Sequence, residues 1–181
     1  MGSEMCIRDS DYESTRFFSA LPDPGSIGKI AGQRAIARLG SRQIPSAALP
    51  ILFDERIAGS LLSALLGAIS GRAIGRGVSF LKEDLGNQIF PTHLQVLEDP
   101  LLPRGNASRP WDGEALNVKK RNIIEDGVLK TWLLNMSSAR QLEMEPTGHA
   151  TRGIGSPPGV SATNTWTVSY THLTLPTILL V

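Results

Sequence analysis

The stretch "KKRNIIEDGVLKTWLLN", Lys119 to Asn135, decides how this chain is read. Two runs of β-branched and apolar residues flank Asp126 and Gly127, and both central residues tolerate the positive φ that a type I′ turn requires. The pattern predicts a hairpin over Lys120 to Leu134 that turns at Asp126 and Gly127. Upstream, "HLQVLED" (His93 to Asp99) is a second strand candidate, followed by a loop rich in proline and polar residues from Pro100 to Pro110. Downstream, "SSARQLEM" (Ser137 to Met144) reads as a short helix capped by Ser137 or Ser138. "PTGHATRGIGSPPGVSATNTW" (Pro146 to Trp166) reads as loop.

The N-terminal half is helical in pattern. Ile27, Ile30, Ala31, Ala35 and Leu39 recur at helical spacing, which predicts a helix from about 25 to 39 with Gly40 as its stop. "AALPILFD" (Ala47 to Asp54) is a short apolar run plausible as a strand, and Asp54 is placed to cap a helix from Glu55 to about Ser70. That helix contains "LLSALLGAISG" (Leu61 to Gly71). Its Ile57, Leu61, Leu62, Leu65, Leu66 and Ile69 would each contribute about 1.5–3 kcal/mol if fully buried, so the helix is expected to be largely buried. Gly71, Gly75, Gly77 and Gly86 then make a turn-rich connection with short helices at most. No internal repeat appears. The fold class is therefore α+β, with helices packed on an antiparallel β-sheet that has at least one hairpin, and the unit is read as a partial domain.

Composition bounds the function. A chain of 181 residues is long enough for one domain with a real core, which buries roughly 70% of its unfolded surface. A formal charge of +1, with 19% charged and 41% apolar residues, supplies no electrostatic pull toward nucleic acid or an anionic membrane, and neither is expected as a partner. Cys6 is the only cysteine, which excludes an internal disulfide and a Cys-rich zinc site. The longest apolar run, Ile57 to Ile69, is interrupted by glycine and serine and is shorter than the ~20 residues a bilayer needs. The two ends, "MGSEMCIRDS" (1–10) and "VSYTHLTLPTILLV" (168–181), resemble translated sequencing-adapter tails. They are expected to be non-native and to pack irregularly, which leaves 11–167 as the informative part and gives Cys6, Tyr170 and His172 no functional weight. The chain reads as a piece of a longer protein.

Residue chemistry alone yields no site. His93 at a strand start and His149 in a loop have no second His, Cys or carboxylate at ligand spacing, so both are assigned ordinary surface or structural roles. Lys119 to Arg121 reads as a solvated basic face. "GIGSPPG" echoes a dinucleotide loop, but Pro157 and Pro158 forbid the helix start that would hold a pyrophosphate. Asp84, Glu98, Asp99, Asp112, Glu114, Glu125 and Asp126 include enough carboxylates for acid–base work, without showing that any two converge. Ser63 lacks a G-x-S-x-G setting.

The blocks "LFDERIAGSLLSALLGAISGRAIGRGVSFLKEDLGNQIF", "LEDPLLPRGNASRPWDGEAL", "IIEDGVLKTWLLNMSSARQL", "PTGHATRG" and "TNT" resemble the TldD/PmbA metallopeptidase family. The resemblance runs over 11–167, from the family's central region into the start of its C-terminal domain. It implies two branches: TldD, whose HExxxH motif binds zinc, and PmbA, also called TldE, which lacks that motif. The two are understood to work together as a cytosolic complex that degrades or trims peptides. Setting "LLSALLGA" against the family's "LLHEAVGH" puts Ser63 and Ala68 at the histidine positions and Ala64 at the glutamate position. An alanine methyl donates no electron pair, and a neutral serine hydroxyl is a poor zinc ligand. The resemblance thus implies a PmbA/TldE-type cytoplasmic subunit with no catalytic, metal-binding or cofactor-binding residue of its own. Zinc is expected in a TldD-like catalytic partner, and a peptide is the expected substrate. The competing readings are a metallopeptidase active through residues outside this fragment, and a fragment without independent activity.

Overall fold

The computed structural model of the chain describes residues 9–40, 45–48 and 51–169. The chain divides into two compact units, Met1–Ile51 and Leu52–Val181. The first holds a short 3₁₀ turn, Phe18–Ala20, and helix α1, Pro24–Ala37, close to the span expected from the apolar spacing. Asp23 caps α1 by accepting from the Ser26 amide at 3.1 Å, and Pro24 opens the first turn, where its missing N–H costs nothing. No residue of α1 is buried.

The second unit contains the sheet. Its order is β3-β2-β1-β6, all antiparallel, with β1 at Leu94–Glu98, β2 at Arg121–Glu125, β3 at Val128–Leu129 and β6 at Thr165–Ser169. The β2–β3 hairpin turns at Asp126 (φ 49°) and Gly127 (φ 76°), the two positive values that the dipeptide predicted. A side chain on Gly127 would run into the carbonyl oxygen of Phe90, so glycine is required there for space as well as for conformation. Between β1 and β2 the register slips: Val96 stands opposite Ile124 but Leu97 opposite Asn122, which leaves Ile123 as the extra residue of a bulge. The slip sets Arg121 opposite Glu98, where an unbroken register would have put Asn122.

Helices α2 (Glu55–Ala68), α3 (Gly71–Gly75) and α4 (Met136–Gln141) complete the unit, with a small second sheet of β4 (Ala150–Thr151) and β5 (Gly159–Val160). The core joins Ile69, Ile74, Leu81, Val96, Ile123, Ile124, Leu129, Trp132, Leu133, Leu134 and Ala139. Adjacent strand residues point to opposite faces, and Ile123 and Ile124 are both fully buried. Both side chains, at and beside the bulge, belong to the core. The α+β class with an antiparallel sheet and a hairpin is what the structure contains.

Several local expectations are corrected. Ala47, Ala48 and Ile51–Asp54 form no strand, because no neighbouring strand pairs with them, and Ile51 and Leu52 are 75% and 76% exposed. Leu49 and Pro50 of that run lie outside the described residues. Helix α2 is not largely buried: Ala58 is covered and the C-cap Ile69 is fully enclosed, while Ile57 and Leu61 are 54% and 53% exposed. Only its Leu62–Leu65–Leu66–Ala68 side packs on the core. The cap of α4 is Asn135, not Ser137 or Ser138; its side chain accepts from the Ser138 amide at 2.9 Å while Ser138 Oγ accepts from the Asn135 amide at 3.1 Å. The "TNTW" end of the expected loop begins β6, which continues through Val168 and Ser169. The irregular packing expected of the C-terminal tail thus fails at those two residues; 1–8 and 170–181 lie outside the described residues.

Candidate functional site

Helix α2 starts where Asp54 accepts from the Arg56 amide at 3.0 Å, and it is pinned at its far end by backbone bonds to the segment that leaves the hairpin. Leu133 N donates to Ile69 O at 3.0 Å, and Gly71 N donates to Leu133 O at 2.7 Å. Between these anchors, Ser63 and Ala64 are exposed and Ala68 is half-buried against the core. The Ser63 hydroxyl donates back to Gly59 O at 2.9 Å, within its own helix.

These positions do not fit a zinc ion. Two of the three side chains are methyl groups, and the third, a neutral hydroxyl, is a weak donor to zinc. Among the described residues no group of three or more His, Cys, Asp or Glu side chains stands where it could hold a metal ion.

The carboxylates singled out in the sequence are occupied separately. Asp112 is a loop organiser: Oδ1 accepts from the Glu114 and Leu116 amides, both at 2.9 Å, and Oδ2 accepts from the Ala150 amide at 3.1 Å. Glu114 Oε2 accepts from the Met136 amide at 2.7 Å, in the first turn of α4. Asp99 accepts from the Leu101 amide, Glu125 meets Lys130 at 3.4 Å, and Asp126 accepts from the Gln95 side chain at 3.3 Å. Asp84 is half-buried between α3 and β1 in the chain.

Glu98 is different. It is 1% exposed, and its Oε1 accepts from the amide of Thr163 at 2.6 Å and from the Thr163 hydroxyl at 2.8 Å. Oε2 lies 2.7 Å from His149 Nε2 and 3.8 Å from Arg121 Nε. His149, also 1% exposed, has its Nδ1 2.7 Å from the Thr147 hydroxyl. Burial alone would raise the Glu98 pKa, but the hydrogen bond and charge of His149 and the two bonds from Thr163 outweigh it and hold the carboxyl below its ordinary value. Burial lowers the pKa of Arg121, with Glu98 acting in the opposite direction.

A hydroxyl, an imidazole and a carboxylate in a row have the outline of a nucleophilic triad, but Thr147 is already committed. Its Oγ1 accepts from the Leu134 amide at 2.6 Å and lies 3.2 Å from the Leu134 carbonyl oxygen, while His149 has no open face toward solvent. The cluster is a buried polar clamp that joins β1, β2, the start of β4 and the approach to β6. His149 lies in the interior with both ring nitrogens engaged, by Glu98 and by Thr147, a carboxylate contact that its sequence surroundings did not show. His93 is exposed, as assigned. The basic run is corrected at one position: Lys119 and Lys120 are exposed, whereas Arg121 turns inward and donates to Thr147 O. "GIGSPPG" leads through a turn into β5, with no helix behind it.

Comparison with known proteins places this geometry in context. Residues 46–174 match the family model described as "PmbA/TldA metallopeptidase C-terminal domain". The chain is 39% identical over 143 residues to the Metalloprotease PmbA of Escherichia coli O157:H7, an alignment that covers 79% of this chain and 32% of that protein. A crystal structure of a Thermotoga maritima protein described as a candidate modulator of a DNA gyrase superposes with a TM-score of 0.75 at 33% identity, over 86% of this chain and 35% of the other. TldE from Thermococcus kodakarensis superposes with a TM-score of 0.54 at 25% identity, over 60% of this chain and 25% of that one. The chain spans about a third of the length of the curated relatives it matches. Among the described residues no helix is long and apolar enough to cross a membrane.

Proposed function

Because the chain belongs to the PmbA/TldD family of metallopeptidases, we propose that it is part of a cytoplasmic subunit of a TldD/TldE-type complex, one that acts in peptide proteolysis or maturation and holds no zinc centre of its own. The observation that carries this reading is the filling of α2. Ser63 and Ala64 face solvent, Ala68 packs on the core, and the one hydroxyl among them is bonded to Gly59 O. A helix so filled contributes packing and shape, while the zinc and the base that deprotonates a metal-bound water belong to a TldD-like partner. The partner association and the peptide substrate are part of the same proposal.

The test uses the full-length protein, alone and mixed with a TldD-like subunit. Zinc content by mass spectrometry and cleavage of an unstructured peptide are measured on each. The full-length protein alone is expected to carry no stoichiometric zinc and to cleave nothing, and to raise the partner's peptidase activity when mixed. Cleavage by the full-length protein alone, abolished by a chelator and restored by zinc, would overturn the proposal.

A further inference from the structure

We propose that the cleft between α3, the start of α4 and β5 is a subsite that binds a peptide carboxylate. It has a volume of about 620 Å³, within the range of small-ligand clefts. Three segments that are distant in sequence line it: Gly71, Arg72 and Arg76 from α3; Asn135, Ser137, Ser138 and Gln141 around α4; and Ser156 to Val160.

The floor is built to stay fixed. A Cβ on Gly71 would collide with the Ser138 side chain, and one on Gly75 would come within 2.8 Å of Gln141 Oε1, so α3 lies directly against α4. Gln141 Nε2 donates to Gly75 O at 2.7 Å, and Asn135 Nδ2 donates to Pro158 O at 3.0 Å, which ties the third wall to the cap of α4. The rim is polar and uncommitted. Arg72 and Arg76 are exposed and four residues apart, so they project from the same side of α3, about 5–6 Å apart at their Cβ atoms. Among the described residues neither guanidinium has an ion-pair or hydrogen-bond partner, and no Asp or Glu lines the cleft. The hydroxyls of Ser137 and Ser156 line the same space without an intramolecular acceptor among the described residues.

Two guanidinium forks with hydroxyl donors beside them match a planar, two-oxygen anion. The remaining wall of Pro157, Pro158 and Val160 is aliphatic, and no aromatic ring lines the cleft on which a nucleobase could stack. A carboxylate attached to a peptide satisfies both walls, through its anion and its aliphatic neighbours. The peptide class rests on the proposed function; the anion class rests on the geometry alone.

The test titrates the isotopically labelled chain with four probes: acetyl-tetraalanine with a free C-terminus, its C-terminal amide, the amide with glutamate in the last position, and inorganic phosphate. Arginine Nε–Hε NMR signals report binding. The free-carboxylate peptide is expected to shift the Arg72 and Arg76 signals saturably, and the plain amide to bind at least tenfold more weakly. Recovery of binding by the glutamate-bearing amide assigns a side-chain carboxylate; failure to recover it assigns the C-terminus, and both agree with the proposal. The R72Q/R76Q double variant is expected to keep its thermal midpoint and lose at least tenfold in affinity, with R72K/R76K intermediate. Equal binding of the free acid and the plain amide, phosphate binding within threefold of the peptide, unchanged affinity in R72Q/R76Q, or no saturable shift up to millimolar peptide would each overturn it. The assay needs neither zinc nor a partner, so a negative result here leaves the test of the zinc-free subunit standing, and the converse holds.

Discussion

Replacing Glu98 with glutamine probes the polar clamp with almost no change of volume. In the wild type the carboxylate receives two bonds from Thr163 and sits 2.7 Å from His149 Nε2. Glutamine keeps an oxygen for Thr163 but presents an amide to His149, and it removes the charge that faces Arg121. The imidazole can answer by placing its proton on Nδ1 toward Thr147, so the bond count is largely preserved while its charge assistance is lost. Bonds to charged groups contribute about 1.5–3 kcal/mol against about 1 for neutral ones, which sets the expected loss for E98Q at about 1–3 kcal/mol. Glu98→Ala would instead leave His149 Nε2 and the Thr163 amide buried without partners, at about 3–5 kcal/mol. Urea unfolding followed by circular dichroism measures both, with an unchanged m-value as the sign that only stability moved. The dependence on pH is a second reading of the same bond. The folded-state pKa of Glu98 is depressed, so the unfolded chain binds more protons near its own value of about 4.3. The Glu98 contribution is therefore complete well above that value and is lost as pH falls through the folded-state pKa. The part of the gap between wild type and E98Q that comes from the Glu98 charge should shrink below about pH 4. An E98Q protein within about 0.5 kcal/mol of wild type at neutral pH, the scatter of surface changes, would refute this account of the clamp.

Gly127→Ala should destabilise the domain by about 1–3 kcal/mol or more, since the new methyl meets the Phe90 carbonyl in a left-handed conformation; a thermal midpoint equal to wild type would contradict the hairpin geometry. Asn135→Ala removes the cap of α4 and the tie to Pro158, and should cost about 0.5–2 kcal/mol in urea unfolding while loosening residues 156–160 in amide exchange. The triple variant Ser63→His, Ala64→Glu, Ala68→His should fold and still show no chelator-sensitive peptidase activity, because a zinc site also needs a further ligand and neighbouring groups that hold the imidazoles in the right tautomer; zinc-dependent cleavage by that variant would show that the three residues on α2 suffice.

Much of the fold was legible because its signals are local. Asp126 and Gly127 announce a turn by their tolerance of positive φ, and the apolar spacing of α1 and α2 fixes helical extents to within a few residues. The parts misread depend on partners distant in sequence. Thr165 to Ser169 carries alternating β-branched and aromatic residues, a weak strand signal that the surrounding glycines and prolines obscured; what makes it a strand is β1, some 70 residues earlier. "AALPILFD" has a stronger strand composition, yet its described residues form none, since nothing pairs with them. The Glu98–His149 contact had one available signal. Alternation along β1 puts Glu98 on the same side as Val96, and a carboxylate on a buried face demands a partner. The identity of that partner, 51 residues away, is not written in any local pattern.

Helix α2 connects the fold to the functional reading. A 14-residue helix is marginal by itself in water, so its order depends on tertiary contact. That contact is concentrated at the C-terminal end, where Ile69 is enclosed and Leu133 and Gly71 bracket the cap, while Ile57 and Leu61 near the start are half exposed. The end that is held most firmly is the end that leads directly into α3 and the arginine-rimmed cleft. Ser63 and Ala64, where the family resemblance places histidine and glutamate, lie on the less constrained, outward-facing stretch. Metal catalysis needs ligands fixed by surrounding hydrogen bonds, and neither an alanine methyl nor a serine hydroxyl turned back on Gly59 O has such support. One helix further along, Arg72 and Arg76 at α3 and Ser137 of α4 line the cleft, polar groups with no ion-pair or hydrogen-bond partner for their side chains among the described residues, and it is there that the proposed recognition of an anion would take place.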